Sequence, residues 1–382
     1  MNVIRNVKSG LRFAVNEATR ALICDEALRK RLAECYYAWA ARRVNAREGF
    51  AARSASDLLD WRATMGFRFE CSREVYRANS FYGIGEALRT FSGAQGCIKA
   101  CVEHGVHFGS YVNGQELEGS GLPCLITFSP ARLEHIRVVS DVPVAMVGPY
   151  IAYAPDYLDE IEMSKVRDQL GRTLLVFPSH SVDRVKVTYE LASLVSEIER
   201  VKREREINSV LICLYYRDLL NGVAGDYESL GYRVVTAGYR EDALFLARQR
   251  SLIFLADLTM SNSVGTQVGY CGYLGRPHYI FDQEKRYGSD SALDDSEFNN
   301  AYARSQAAEK AEVAAGFSVL TDSLTGKQRE LLERYWGFSK VRSRDELSDL
   351  FAVCEEAYRA GSKARQRSLR SNPRLEQLPF EV

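Results

Sequence analysis

The stretch Leu252–Asp282, LIFLADLTMSNSVGTQVGYCGYLGRPHYIFD, decides how the rest of the chain is read. Its apolar run, Leu252 to Ala256, has the length of a buried strand and ends in Asp257. Ser261, Asn262, Ser263, Gly265 and Thr266 form a hydroxyl-rich turn. A helical pattern follows, with Val268, Cys271 and Leu274 on one face, and closes at Gly275-Arg276-Pro277. A second apolar run spans His278 to Phe281. Strand, turn, helix, stop and strand make a βαβ unit. The turn falls where a helix leaves backbone N–H groups unpaired and presents the positive end of its dipole, which suits a phosphate. It also suits a plain N-cap, where Ser and Asn are favoured.

The segments upstream repeat the alternation. Thr173–Phe177 is a β-type run ending in Pro178-Ser179-His180-Ser181. Val210–Tyr215 ends in Tyr216-Arg217-Asp218, and Arg233–Thr236 ends in Ala237-Gly238. Helical patterns over Tyr189–Arg205, Leu219–Leu230 and Glu241–Arg250 separate them, so a parallel sheet is expected. Earlier still, Ile98–Val102 ends in Glu103-His104-Gly105-Val106-His107. Leu125–Phe128, a helix with Arg132 and His135, and Val142–Val147 follow. The expected fold is α/β: two Rossmann-like domains facing across a cleft, with extra N-terminal and C-terminal helices. Residues 1–160 form the first domain and 161–320 the second, the polar helix Asp156–Leu170 carrying the chain across. Closing helices at 321–362 pack back on the first domain, and 363–382 is a basic tail.

At the N-terminus the first fifty residues read as an amphipathic helix, with Leu22, Leu28, Leu32, Cys35, Tyr36 and Trp39 on one face. Gly83-x-Gly85 is a fragment of a phosphate-binding fingerprint. The polar stretch Gln283–Ala308 reads as a surface loop. Thr325–Trp336 is a closing helix, and Ser343 with Glu346 is a capping box that opens another. Lys363–Arg374 has five basic residues and no acid. This tail is read as solvated, with contact to an anionic membrane as the alternative.

At 382 residues the chain has ample core for about two domains. Its 50 basic and 50 acidic residues cancel, which argues against nucleic acid as the main partner. The 9 cysteines are scattered without a C-x-x-C pair, the usage of a reduced, cytoplasmic protein.

In open α/β sheets ligands sit at the carboxyl ends of strands, so the cleft between the domains is the expected site. Ser179, His180 and Ser181 can converge with Ser261, Asn262, Ser263, Gly265 and Thr266 on one anion, without a lysine. The diphosphate of a sugar nucleotide or the single phosphate of a CMP-sugar would fit. Gly238 could let a nucleobase lie on its backbone, and Glu284 could accept from ribose hydroxyls.

Read together, Ala256-Asp257, Ser261-Asn262-Ser263-Val264-Gly265-Thr266, Gly269-Tyr270 and Leu274-Gly275-Arg276-Pro277 resemble the donor-domain signature of GT-B glycosyltransferases. Phe177-Pro178-Ser179-His180-Ser181 resembles the histidine motif of bacterial sialyl- and Kdo-transferases, without its His-Pro order. Glu103-His104-Gly105 resembles the acceptor-domain His-Gly of teichoic acid transferases. Arg334-Tyr335-Trp336-Gly337 resembles a segment of surface-polysaccharide assembly proteins. The resemblance implies metal-independent transfer from a nucleotide-sugar donor, as co-substrate and with no cofactor. The donor would be a CMP-sugar such as CMP-Kdo, or an NDP-sugar, and the acceptor a glycan or lipid-linked glycan of O-antigen, capsule or lipopolysaccharide synthesis. Such a protein is cytoplasmic, or peripheral at the inner face of the cell membrane. Glycosyl transfer needs a base for the acceptor hydroxyl, for which His104, Glu103 and His107 are the candidates. A retaining route would need a carboxylate nucleophile, for which Asp183 or Asp218 would serve. A sugar-nucleotide epimerase of the same fold and a non-catalytic nucleotide-sugar-binding protein are the competing readings.

Overall fold

The computed structural model describes residues 54–66, 74–112, 114, 117, 121–182, 185–289, 296–360 and 380–381. The helix expected in the first fifty residues, the basic run Lys363–Arg374 and Asp183 lie outside the described residues; at the end of the expected tail, Phe380–Glu381 is a strand. The chain order opens with α1 (Ala55–Leu58), α2 (Trp61–Gly66), a 3-10 turn (Arg77–Gly83), α3 (Ile84–Ser92) and β1 (Cys101–Val102). Next come β2 (Leu125–Thr127), α4 (Pro130–Val139), β3 (Val144–Met146) and α5 (Glu160–Leu170). The second half runs β4 (Thr173–Phe177), β5 (Val185–Thr188), α6 (Leu191–Glu204), β6 (Ser209–Cys213), α7 (Tyr216–Leu220), α8 (Val223–Glu228) and β7 (Arg233–Val235). It continues α9 (Phe245–Leu255), β8 (Leu258–Ser261), α10 (Thr266–Tyr273), β9 (His278–Ile280) and β10 (Arg286–Ser289). It closes with α11 (Ser296–Gly316), α12 (Gly326–Trp336), α13 (Arg344–Ala360) and β11 (Phe380–Glu381).

Two α/β sheets result. In the first, β1, β2 and β3 are parallel and adjacent, and β11 adds antiparallel to β3. In the second, the order is β7-β6-β4-β8-β9, all parallel. β4 and β8 are wholly buried, as strands covered by helices on both faces must be. The strand order reverses between β4 and β8, so the ends of these two strands open the crevice in which such sheets hold ligands. The fold is two Rossmann-like domains facing across a cleft. Trp61 and Met65 of α2 pack against the core of the second sheet. α13 contacts α3, and α12 contacts both α4 and α10, so the closing helices touch both halves.

Several boundaries differ from the sequence reading. The apolar run Leu252–Leu255 is the end of α9 and not a strand; β8 begins after Asp257. A short apolar run fits a buried helix turn as well as a buried strand, and here the preceding helix simply continues. Asp257 therefore sits at the start of β8, where its carboxylate accepts from Thr173 N and pairs with Arg167 at 2.9 Å. The expected surface loop between Gln283 and Ala308 contains β10, which pairs antiparallel with β5, and the first turns of α11. Gly83-x-Gly85 holds no phosphate turn. Gly83 has φ +68°, and a Cβ there would lie 2.4 Å from the Ala243 carbonyl oxygen, so glycine lets the first domain approach the second.

α11 leaves the second sheet but is fastened to the first domain. The Gly109 N–H donates to Glu309 Oε2 at 2.6 Å, and Glu309 Oε1 lies 2.8 Å from His135 Nε2. Gly109 has φ +72°, and a Cβ would sit 2.0 Å from the Ser305 carbonyl oxygen. Gly109→Ala should therefore lower stability by about 2 kcal/mol or more, from strain and from displacement of α11. Chemical denaturation measures it; a loss below about 0.5 kcal/mol would contradict this account of α11.

Candidate functional site

The site is built from the ends of β4 and β8. Asn262, fully buried just past β8, accepts from Ser179 N at 2.6 Å and Ser179 Oγ at 2.9 Å. Its Nδ2 donates to Gln283 Oε1 at 3.0 Å. Ser261 is also fully buried; its hydroxyl lies 2.8 Å from Ser263 O and 2.9 Å from His278 Nε2. Both residues thus hold the turns in place from beneath and offer nothing to a ligand, a correction to their expected contact with an anion. Ser179, His180, Ser263, Gly265 and Thr266 line the cleft itself. Gly265 caps α10, whose first N–H groups open beside it. Trp336 closes the far side of α10, its Nε1 donating to Thr266 O at 3.3 Å.

Across the cleft stands the loop that follows β1. Its glycine-flanked histidines meet the second domain where Val106 N donates to Thr266 Oγ1 at 3.1 Å. His104 and His107 line the cleft. Their rings lie edge to face with centroids 5.6 Å apart, and His104 stacks beside Tyr82 at 6.2 Å. Glu103 turns the other way. It is fully buried, and Arg132 grips its Oε1 from Nε at 2.8 Å and Nη2 at 2.5 Å, while Thr127 donates to Oε2. Burial alone would raise its pKa, but the Arg132 guanidinium and the hydrogen bonds from Arg132 and Thr127 outweigh burial and hold it below the usual carboxylate range. A carboxylate tied up in this way has no access to an acceptor, so the structure removes Glu103 from the candidate bases. Burial drives the His107 pKa down to about 4, against the pull of Glu103, so this ring is neutral near pH 7 and Arg132 is the standing counter-charge.

Ser181, Asp218, Gly238 and Glu284 fall outside the cleft lining. Ser181 and Asp218 are both buried; Ser181 N donates to the two Asp218 oxygens at 3.2 Å each. Asp218 therefore braces the loop below His180, and as a nucleophile it is out of position. Burial raises its pKa. His180 has its ring open to the cleft, yet the protein packed around it lowers its pKa, against the charge of Asp218. Gly238 is buried above the Arg248–Asp242 pair (2.6 Å), and Ala237 takes its expected place in the lining. Glu284 is solvent-exposed and does not line the cleft; the lysine after it does.

Sequence reasoning missed several residues that do line the cleft: Lys285, Gln306, Lys310, Tyr82 and Tyr215. Lys285 Nζ lies 3.3 Å from Asn262 O and 2.9 Å from Asp282 Oδ1, which puts an ammonium at the turn that follows β8. Gln306 and Lys310 arrive on α11, whose alanine-rich run at 303–315 is a strong helix signal that could have replaced the loop reading. Tyr82 has φ 58°, a conformation rare for a side chain of its size, and its hydroxyl lies 3.4 Å from that of Tyr215. The cleft holds about 600 Å³, suited to a ligand of nucleotide size. Among the described residues, no helix is long and apolar enough to cross a membrane.

No protein family model matches this chain, and no curated protein matches it in sequence. Solved structures with a related chain path include a histidine-to-alanine variant of the wall teichoic acid polymerase TagF, at 13% identity and a TM-score of 0.40 over 68% of each chain. The S. aureus MnaA–UDP structure aligns over 69% of each chain at 10% identity, with a TM-score of 0.35. TarM aligns over 72% of this chain and 48% of its own, at 14% identity and a TM-score of 0.26. Likeness at this level carries no argument about what this chain binds or does.

Two buried neutral histidines give the site a pH signature. Burial holds His107 at about 4 and His278 at about 3, both below the ordinary 6.5. The unfolded chain binds protons at these rings below pH 6.5 while the folded chain does not. Their share of stability is therefore complete above that pH and is lost as pH falls towards 4, by up to about 1.4 kcal/mol per unit for each ring. His107→Gln should make the loss of stability between pH 6.5 and 4 shallower in denaturant titrations. An unchanged slope would show that His107 is not held neutral.

Proposed function

We propose that the protein is a glycosyltransferase, moving a sugar from a nucleotide-activated donor to an acceptor in the cleft between its domains. The observation that carries this reading is the placement of a helix N-terminus, hydroxyls and Lys285 on one wall, with His104 on the other. A departing phosphate needs positive charge and donors; an acceptor hydroxyl needs a base on the opposite side of the transferred group. The turn at Ser263–Thr266 and Lys285 supply the first. His104 is the candidate for the second, because Glu103 is consumed by Arg132. His180, beside the turn and 4.5 Å centroid to centroid from Tyr215, would hold the donor. The metal-independent route, a surface polysaccharide acceptor and placement at the inner face of a membrane belong to the same proposal. They rest on the motif resemblance of Ala256–Pro277 and Glu103–Gly105.

The test is transfer from a panel of labelled nucleotide sugars. His104→Ala should lower turnover by about 10²–10⁴-fold and leave donor affinity nearly unchanged. Ser263→Ala should instead weaken donor binding with little effect on stability. Full turnover in His104→Ala would remove the base from this loop. Conversion of a free sugar nucleotide without any acceptor would replace transfer by epimerisation.

A further inference from the structure

Helix α11 forms a third wall of the cleft, and nothing in the transfer reaction as described uses it. Gln306 and Lys310 are one helical turn apart, so they share a face, and both line the cleft beside Ala307, Ala311 and Ala314. The alanines leave room in front of that face. Gln306 is only 3% exposed, yet its buried Nε2 has no hydrogen-bond partner among the described residues. Buried polar atoms are nearly always paired, so an orphan donor on a cleft-lining side chain invites an acceptor from outside the chain. His107 Nε2, lining the same cleft, is likewise buried and unpartnered among the described residues. Lys310 has no ion pair or hydrogen bond among the described residues. The nearby carboxylates are engaged elsewhere. Glu309 is held by His135 and the Gly109 N–H, and Asp282 by Lys285.

We propose that Gln306 and Lys310, with His107 beside them, form an anion subsite for a phosphoryl group, separate from the turn at Ser263–Thr266. The Gln306 amide and the Lys310 ammonium are donors without acceptors, and the His107 Nε2 adds a third in the tautomer that carries its proton there; on side chains that line one cavity they match the several oxygens of a phosphate. Lys310 also feels the charge of Lys285 at the first turn, so the two cations are near enough to act on one ligand. Burial, with Lys285 adding repulsion, holds the Lys310 pKa below its ordinary value. The empty subsite therefore costs stability while Lys310 is protonated, and an anion would relieve that cost. The phosphoryl group has two chemical sources: the second phosphate of a nucleoside diphosphate donor, or a phosphate carried by the acceptor. The first source rests on the nucleotide reading of the cleft; the subsite itself does not.

The experiment is calorimetric titration of the full chain and of Lys310→Met and Gln306→Leu. The probes are inorganic pyrophosphate, matched nucleoside mono- and diphosphates, and glycerol phosphate added to nucleotide-saturated protein. Each substitution should weaken pyrophosphate binding by about 10- to 100-fold. Lys310→Met should melt no lower than the parent, because it removes an unpaired, half-buried charge. If nucleoside diphosphate affinity falls and monophosphate affinity holds, the subsite takes the donor's second phosphate. If only glycerol phosphate binding falls, it takes an acceptor phosphate. Pyrophosphate binding that depends on Lys310 in a protein that binds no nucleotide would support the subsite and overturn the nucleotide reading. Equal affinity of parent and both variants for every probe, or no binding of any probe to the parent, would overturn the subsite.

Discussion

The hydrogen bond from Val106 N–H to Thr266 Oγ1 joins the histidine loop of one domain to the phosphate turn of the other. Everything chemical in the cleft is spaced from it. It holds the loop carrying His104 and His107 against the N-terminus of α10, so the proposed base and the proposed anion-binding turn face each other without a separate closing element. The same seam is reinforced at Tyr82, whose N–H donates to Arg240 O, and at Gly83, which fits against Ala243. A backbone N–H to carbonyl bond and a glycine contact of this kind fix position more tightly than side-chain packing, because backbone groups have no rotamers to exchange.

Charge in the cleft follows from what lies behind its walls. Arg132 neutralises Glu103 in the core of the first domain, and this keeps a full negative charge away from the place where a phosphate would bind. His107 is neutral, and Lys285 and Lys310 line the opening. The buried ion pair is a scaffold under the histidines; breaking it by removing one partner would leave an uncompensated charge in the core. The electrostatic result is a cleft lined by Lys285 and Lys310, in which Asp282 is paired with Lys285 at 2.9 Å and Glu103 is withdrawn into the core.

Much of this was legible in the sequence. The alternation of β-type and helical runs from Thr173 to Phe281 carries the parallel sheet, because strands buried on both faces read as short unbroken apolar runs. The placing of polar residues after Phe177 and Ser261 follows from that sheet. What sequence could not supply was direction within the turns. Ser261, Asn262 and Ser263 look alike as donors, yet the first two point into the protein and only Ser263 lines the cleft. Glu103 and His104 are adjacent, and only the burial of Arg132 shows which one is spent on structure. The Leu252–Leu255 run failed as a strand because four apolar residues fit either period. Lys310 and Gln306 were lost with α11, where a polar beginning with two adjacent asparagines hid an alanine-rich helix.

The most direct measurement is a crystal structure of the full chain with a nucleoside diphosphate. The account predicts phosphate density within hydrogen-bonding distance of the Ser263–Thr266 backbone and Lys285, with the His104 ring across the cleft. Nucleotide bound away from the cleft, for instance in the shallow hollow beside Trp61 and Arg62, would contradict it.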